Sequence, residues 1–135
     1  MVFVFDTNTL VSSIIKPSGK SAQALALARS KGKLIFSDDT KAELMEVLFR
    51  SKFDKYLDKT ERLKIANGLV TDGEERKILN HLDIICRDPS DSKFLRLGFD
   101  VNVNCIVSGD SDLKELHPFR GIPILTSVEF LSEFR

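Results

Sequence analysis

Short apolar runs alternate with amphipathic segments along the whole chain. We predict that the runs are strands, because a short uninterrupted apolar run suits a strand buried on both faces. The predicted strands are VFVF (2–5), LIF (34–36), NCIVS (104–108) and IPIL (122–125). This alternation predicts an α/β fold, with a parallel sheet of about four or five strands flanked by helices.

The segments between the runs have the spacing of amphipathic helices. Ser37 is placed to cap a helix through TKAELMEVLFR, and Thr126 with Glu129 forms a capping box for VEFLSEF. The other predicted helices are 7–15, 21–32, Lys59 to about Thr71, SDSKFLRLGF (90–99) and SDLKEL (111–116). The stretch ILNHLDIIC (78–86) is ambiguous, and we expect it to be partly extended.

The length of 135 residues predicts one domain, and a composition of 42% hydrophobic and 30% charged residues is ordinary for a soluble protein. No apolar run approaches the roughly 18 residues of a membrane helix, and the N-terminus lacks a secretory pattern. Cys86 and Cys105 have no metal-type spacing. We therefore expect reduced, buried thiols and a cytoplasmic location.

The net charge is zero, but the charges are unevenly distributed. Residues 1–33 carry five Lys/Arg against Asp6 alone, and residues 50–64 carry six against three acids. From Asp83 to the end there are nine acids and six basic residues. The pattern fits either one basic and one acidic side or ordinary solvated faces.

Carboxylates fall where predicted elements begin or end. Asp6 follows the first strand, and Asp110 and Asp112 follow the strand at 104–108. Parallel strands end at one edge of the sheet, where ligands bind, so these side chains share a crevice if their strands are neighbours. Glu43 lies in the helix after the second strand, and Asp88 and Asp91 begin another helix.

Each of these acids also has a structural explanation. Asp6 and Asp110 can cap the helices that follow them, and Thr40 with Glu43 has the spacing of a capping box. In DPSD, Asp88 can be an N-cap with Pro89 as the first helical residue. Together, however, several carboxylates in one crevice repel by roughly 4 kcal/mol per pair at 4 Å and an effective dielectric of 20.

A hard divalent cation such as Mg²⁺ or Mn²⁺ would offset this repulsion, since both ions prefer oxygen ligands. His81 and His117 stand alone in the sequence, and we interpret them as surface or loop residues rather than zinc ligands. The carboxylates therefore indicate a metal site without histidine.

Four motifs in this order resemble the PIN-domain ribonucleases, most closely the bacterial and archaeal branch of toxin components in toxin–antitoxin systems. They are FDTN (5–8), SDDTKAEL (37–44), RDPSDSKFL (87–95) and VSGDSDL (107–113). The resemblance covers nearly the whole chain, while residues 51–86 match least. It implies a three-layer α/β/α domain with an acidic pocket for Mg²⁺ or Mn²⁺ and an RNA-cleaving activity.

The resemblance also implies roles for individual residues. Asp6, Glu43, Asp91 and Asp110 match the acidic quartet of the family, and Asp112 matches a further acid. Asn8 and Ser108 match small polar supporting positions, with Ser where Thr is more usual, and the role of Asp88 is not settled by the motif. We expect Asp6 and Asp110 to bridge the metal, and the basic stretches to hold the RNA backbone. Candidate RNA-binding residues are Lys16, Lys20, Arg50 and Lys52.

Other functions remain open at this point. A phosphatase with an aspartate nucleophile usually has Asp-x-Asp, whereas Asn8 occupies the second position here. A receiver domain would need paired acids before Asp6, for which the chain has no room. A catalytically silent PIN-like module that binds a protein or RNA is the alternative of a different class. The resemblance further implies an antitoxin partner and self-association. No membrane partner is expected, because the chain has no long apolar run.

Overall fold

A five-stranded parallel sheet is the centre of the computed structural model, which describes residues 1–78 and 89–135. Its strands are β1 (Val2–Phe5), β2 (Lys33–Phe36), β3 (Glu74–Glu75), β4 (Cys105–Val107) and β5 (Ile124–Leu125). Their order across the sheet is β3-β2-β1-β4-β5, and every neighbouring pair is parallel. The predicted parallel sheet is confirmed, and β3, which has no apolar run, was not anticipated.

Helices lie on both faces of this sheet. They are α1 (Thr7–Ile15), α2 (Lys20–Lys31), α3 (Asp38–Leu48), α4 (Lys59–Asp72), α5 (Ser92–Val101), α6 (Ser111–Lys114) and α7 (Ser127–Phe134), with 3₁₀ turns at Ser51–Phe53 and Pro89–Asp91. None of the described helices is long and apolar enough to cross a bilayer. Most of the prediction for 78–86 lies outside the described residues, as do Cys86 and His81.

The two cores follow from the alternation of side chains along β1. Phe3 and Phe5 pack with α1–α4 and α7, whereas Val4 packs on the opposite face with α5 and α6. Phe3 meets Phe130 of α7 edge-on, with ring centroids 5.3 Å apart. The α/β/α layering predicted from the sequence is therefore confirmed.

The helix caps agree with the sequence except in two cases. One is the helix after DPSD, where a 3₁₀ turn covers Pro89–Asp91 and α5 begins only at Ser92, with Asp91 as its N-cap. The capping box at Thr126 and Glu129 is present, and hydrogen bonds from Lys114 and the Thr126 N–H lower the pKa of Glu129 to about 2. Ser37 caps α3 as predicted, but its capping-box partner is Thr40. The interpretation of Thr40 with Glu43 as a capping box is wrong, because the helix begins one turn earlier.

Arg62 belongs to the basic stretch 50–64, but it is not available to hold an RNA backbone. Its side chain on α4 is fully buried, and it donates to the carbonyl oxygens of Leu48 at 2.9 Å and Arg50 at 3.3 Å. It also pairs with Asp54. The guanidinium therefore holds the chain between α3 and α4 in place, because a single planar group satisfies several polar atoms there.

We expect Arg62→Met to lower the free energy of unfolding by about 2–4 kcal/mol, because buried carbonyl oxygens lose their donors. Urea denaturation measures the change. Lys64→Met, on an exposed position of the same helix, is the control and should change stability by less than about 0.5 kcal/mol. Equal stability of the two variants would contradict this role for Arg62.

Candidate functional site

The pairing of β1 with β4 creates the site at the carboxyl edge of the sheet. Phe5 lies opposite Val107, and the N–H of Asp6 donates to the Val107 carbonyl oxygen at 3.0 Å. Ser108, directly after β4, donates its N–H to Leu125 at 2.8 Å. The two strands are thus neighbours, which is the condition under which Asp6 and Asp110 were predicted to share a crevice.

Asp6 is buried, with 4% of its surface exposed, and both carboxylate oxygens accept hydrogen bonds. Oδ1 accepts from the Thr9 N–H at 2.8 Å and so caps α1, while Oδ2 accepts from the Ser108 hydroxyl. Burial raises the pKa of Asp6 above its ordinary value of 3.8; Ser108 and Thr9 oppose the rise, and the charge of Asp110 adds to it. The hydrogen bonds therefore fix the carboxylate in place, although burying its charge lowers the stability of the folded protein.

Ser108 links Asp6 to a second group of acids. Its hydroxyl oxygen also accepts the Asp110 N–H at 3.0 Å, and Asp110 in turn accepts the Asp112 N–H at 2.8 Å to cap α6. Carboxylate oxygens of Asp91, Asp110 and Asp112 lie within 4.8 Å of one another. This is the one group of three or more possible metal ligands among the described residues. Asp6 is connected to it by the two hydrogen bonds of the Ser108 hydroxyl.

The donor set of this group suits a divalent cation. All three ligands are carboxylates, and Asp91 is buried at 8% exposure, at the start of α5. Mg²⁺ and Mn²⁺ prefer such hard oxygen donors, and a cation there would replace carboxylate repulsion by attraction. The residues present therefore fit a metal of this class.

Glu43 lies outside this group and forms an ion pair with Lys93. Their side chains are 24% and 21% exposed, so water screens the pair only in part. Lys93 lies within the motif RDPSDSKFL, but its pairing with Glu43 was not predicted. Its position in the first turn of α5 could have indicated an acidic partner, because a cation at a helix N-terminus is unfavourable unless an acid lies near it.

The remaining predicted residues are distributed around the site. Asn8 is exposed and lines a cavity of about 300 Å³ together with Asp6 and Asp110. Asp88 lies outside the described residues. The predicted RNA-binding residues Lys16, Lys20 and Lys52 are exposed, whereas Arg50, also exposed, forms an ion pair with Glu46 at 3.0 Å. His117 is exposed in a loop, and its Nδ1 accepts the N–H of Ile124.

In EDTA, we expect the stability of Asp6→Asn relative to the wild type to rise between pH 3.8 and pH 7. The folded protein has the raised pKa, so the wild type loses stability as pH rises from the unfolded value of 3.8 through that raised pKa. The relative gain should be about 1.4 kcal/mol per unit of pKa elevation. A constant offset is expected at every pH, because the amide nitrogen of asparagine cannot accept the Ser108 hydroxyl hydrogen. Urea denaturation across pH measures it.

Asp58→Asn is the matched control for this experiment. Asp58 caps α4 through the same kind of bond, from the Glu61 N–H at 2.8 Å, but it is exposed. Asparagine is as good an N-cap as aspartate, so neither variant loses its cap. A stability difference between Asp6→Asn and the wild type that does not grow between pH 3.8 and pH 7 would contradict the burial cost.

Comparisons with known proteins agree with this geometry. The chain shares its fold with a chain in the crystal structure of VapBC2 from Rickettsia felis bound to a DNA fragment from their promoter. The TM-score is 0.62 at 16% identity, covering 92% of this chain and 97% of that one. No curated protein sequence matches the chain. The family model of the PIN domain matches residues 2–112, and the chain therefore belongs to the PIN-domain family.

Proposed function

We propose that the chain is an Mg²⁺- or Mn²⁺-dependent endoribonuclease that hydrolyses phosphodiester bonds of RNA. The observation that carries this proposal is the approach of Asp91, Asp110 and Asp112 to within 4.8 Å at the edge where Asp6 is buried. Folding energy alone does not favour such a group, because like charges at this separation destabilise the folded state. A function that requires the carboxylates accounts for their placement.

Asp91, Asp110 and Asp112 would hold the cation, with Asp6 completing its surroundings. A divalent cation bound there supplies positive charge against the anionic phosphodiester and lowers the pKa of a water molecule towards neutrality. The chain itself supplies orientation. The Ser108 hydroxyl donates to the Asp6 carboxylate and accepts the backbone N–H of Asp110, which fixes the positions of the two acids relative to each other.

The ion pair with Lys93 ties Glu43 on α3 to α5, the helix that follows Asp91. The ammonium of Lys93 offsets the charge of Glu43 and restrains its carboxylate. Glu43 would then orient a water molecule or accept a proton from it, which a carboxylate held in one position can do. Asn8, exposed in the same cavity as Asp6, offers an amide that could hydrogen-bond the RNA.

The toxin role belongs to the same proposal. Its support is the resemblance of the four motifs and the fold shared with a chain of VapBC2. If the chain is a toxin, a small antitoxin binds it and covers the cavity lined by Asp6, Asn8 and Asp110 (the carboxylate cavity). The protein would then also self-associate. The proposed location is the cytoplasm, where RNA and reduced thiols such as the buried Cys105 are found.

We expect Mn²⁺ to stabilise the wild type by about 2.7 kcal/mol at a free concentration 100 times its dissociation constant. Asp110→Asn should lose most of this gain, because it removes one of the three clustered ligands. Thermal unfolding with Mn²⁺ and with EDTA measures it, and Asp39→Asn, at an exposed position in α3, is the control. Equal stabilisation of all three proteins would argue against the assigned ligands.

We expect wild-type protein to cleave single-stranded RNA with Mn²⁺ or Mg²⁺ and not with EDTA. Asp110→Asn should lower kcat/KM by at least about 100-fold, the scale of losing charge stabilisation at a transition state. Asp39→Asn, purified identically, should cut like the wild type. Cleavage that survives in Asp110→Asn would be a contaminant, and metal binding without any cleavage would favour the silent binding module.

A further inference from the structure

A second cavity continues the carboxylate cavity along α1. Asn8 and Ser12 line both, and the second, of about 220 Å³, is completed by Val11, Ile15, Lys16 and Phe53. Asn8, Ser12 and Lys16 are spaced by four residues, so they follow one face of α1. At a rise of 1.5 Å per residue, this face extends about 12 Å away from the carboxylates.

The chemistry of the lining changes along this path. Beside Asp6 and Asp110 it consists of carboxylate, amide and hydroxyl groups, whereas Val11, Ile15 and Phe53 form an apolar wall at the far end. Two cations flank this wall. Lys16 is exposed at its rim, and the Nζ of Lys52 lies 5.1 Å from the centre of the Phe53 ring.

The position of Phe53 is fixed by the core and by Arg62. Phe53 ends the 3₁₀ turn Ser51–Phe53 and packs against the core of that face of the sheet. The buried Arg62 binds the carbonyl oxygen of Arg50 before this turn and the carboxylate of Asp54 after it. A ring held in this way needs little ordering when a ligand arrives, so its contact contributes more fully to affinity.

We propose that this second cavity binds one nucleobase of the RNA, next to the phosphodiester presented to the carboxylates. The inference rests on the proposed ribonuclease function and deepens it. Sites for single-stranded nucleic acids combine aromatic side chains under the bases with cations along the backbone, which is the combination found here. The volume is below the roughly 300–1,000 Å³ of drug-sized sites, which suits a single planar base.

The chain offers a matched pair of aromatic residues for the test. Lys55 lies over the ring of Tyr56 at 5.1 Å, as Lys52 does over Phe53, but Tyr56 is 59% exposed and does not line the cavity. Phe53→Leu should therefore weaken RNA binding while Tyr56→Leu should not. Lys16→Gln changes an exposed residue and tests the rim without touching the core.

Affinity would be measured by fluorescence anisotropy with a labelled single-stranded RNA of mixed sequence, in an Asp110→Asn background that leaves the probe intact. Phe53→Leu should weaken binding about five- to tenfold, the lower range for losing a base–aromatic contact because leucine remains apolar. Lys16→Gln should weaken it severalfold and make it less salt-dependent. Tyr56→Leu should bind within twofold of the background protein.

Probes with one abasic nucleotide at each position in turn identify the base that is bound. One position should weaken binding to the background protein, and the same substitution should have almost no effect in Phe53→Leu, since the contact is already gone. A merely structural role for Phe53 would leave the abasic effect unchanged. Melting temperatures of all variants confirm that they fold.

The outcomes separate this inference from the ribonuclease proposal. RNA that the wild type cuts, with Phe53→Leu and Lys16→Gln binding as tightly as Tyr56→Leu, would overturn the base subsite alone. A cavity that serves a protein partner would give that same result. RNA that the wild type neither binds nor cuts would overturn the ribonuclease proposal and the subsite with it.

Discussion

The parallel pairing of β1 with β4 is the contact on which the site depends. It places the residue after Phe5 beside the residues after Val107, so that Ser108 can bind Asp6 and Asp110 at once. Both strands lie inside the sheet and are buried on both faces. Strand pairing therefore sets where Asp6 and Ser108 lie relative to each other.

The acids of the site lower the stability of the fold. Asp6 is buried with a raised pKa, and three more acids are gathered next to it. The chain limits this cost with groups that serve twice. Asp6 and Asp110 each cap a helix through one oxygen, and Ser108 donates to one acid while accepting from the other. The structural explanation and the proposed functional one thus apply to the same residues.

Local patterns in the sequence predicted the regular elements well, because apolar runs and caps act over a few residues. The bounds of β1 and α1 agree with the prediction, and so does the cap at Ser37. Contacts between residues far apart in the sequence could not be predicted from such patterns. Nothing near Arg62 indicated its burial, since its partners belong to the connection after α3, and the pairing of Glu43 with Lys93 joins residues 50 apart.

Arg62 also bears on the proposed binding of RNA. A chain of zero net charge has no overall field to attract a polyanion, and several of its cations form ion pairs. Arg50, Arg62 and Lys93 pair with carboxylates, while Lys16 and Lys52 have no ion pair among the described residues. Lys16 and Lys52 are thus two of the exposed cations that could meet phosphate, and they lie beside α1 and the turn that Arg62 fixes. Affinity for RNA should then be modest and sensitive to salt, because it would depend on contacts of individual cations with phosphates rather than on an overall positive field.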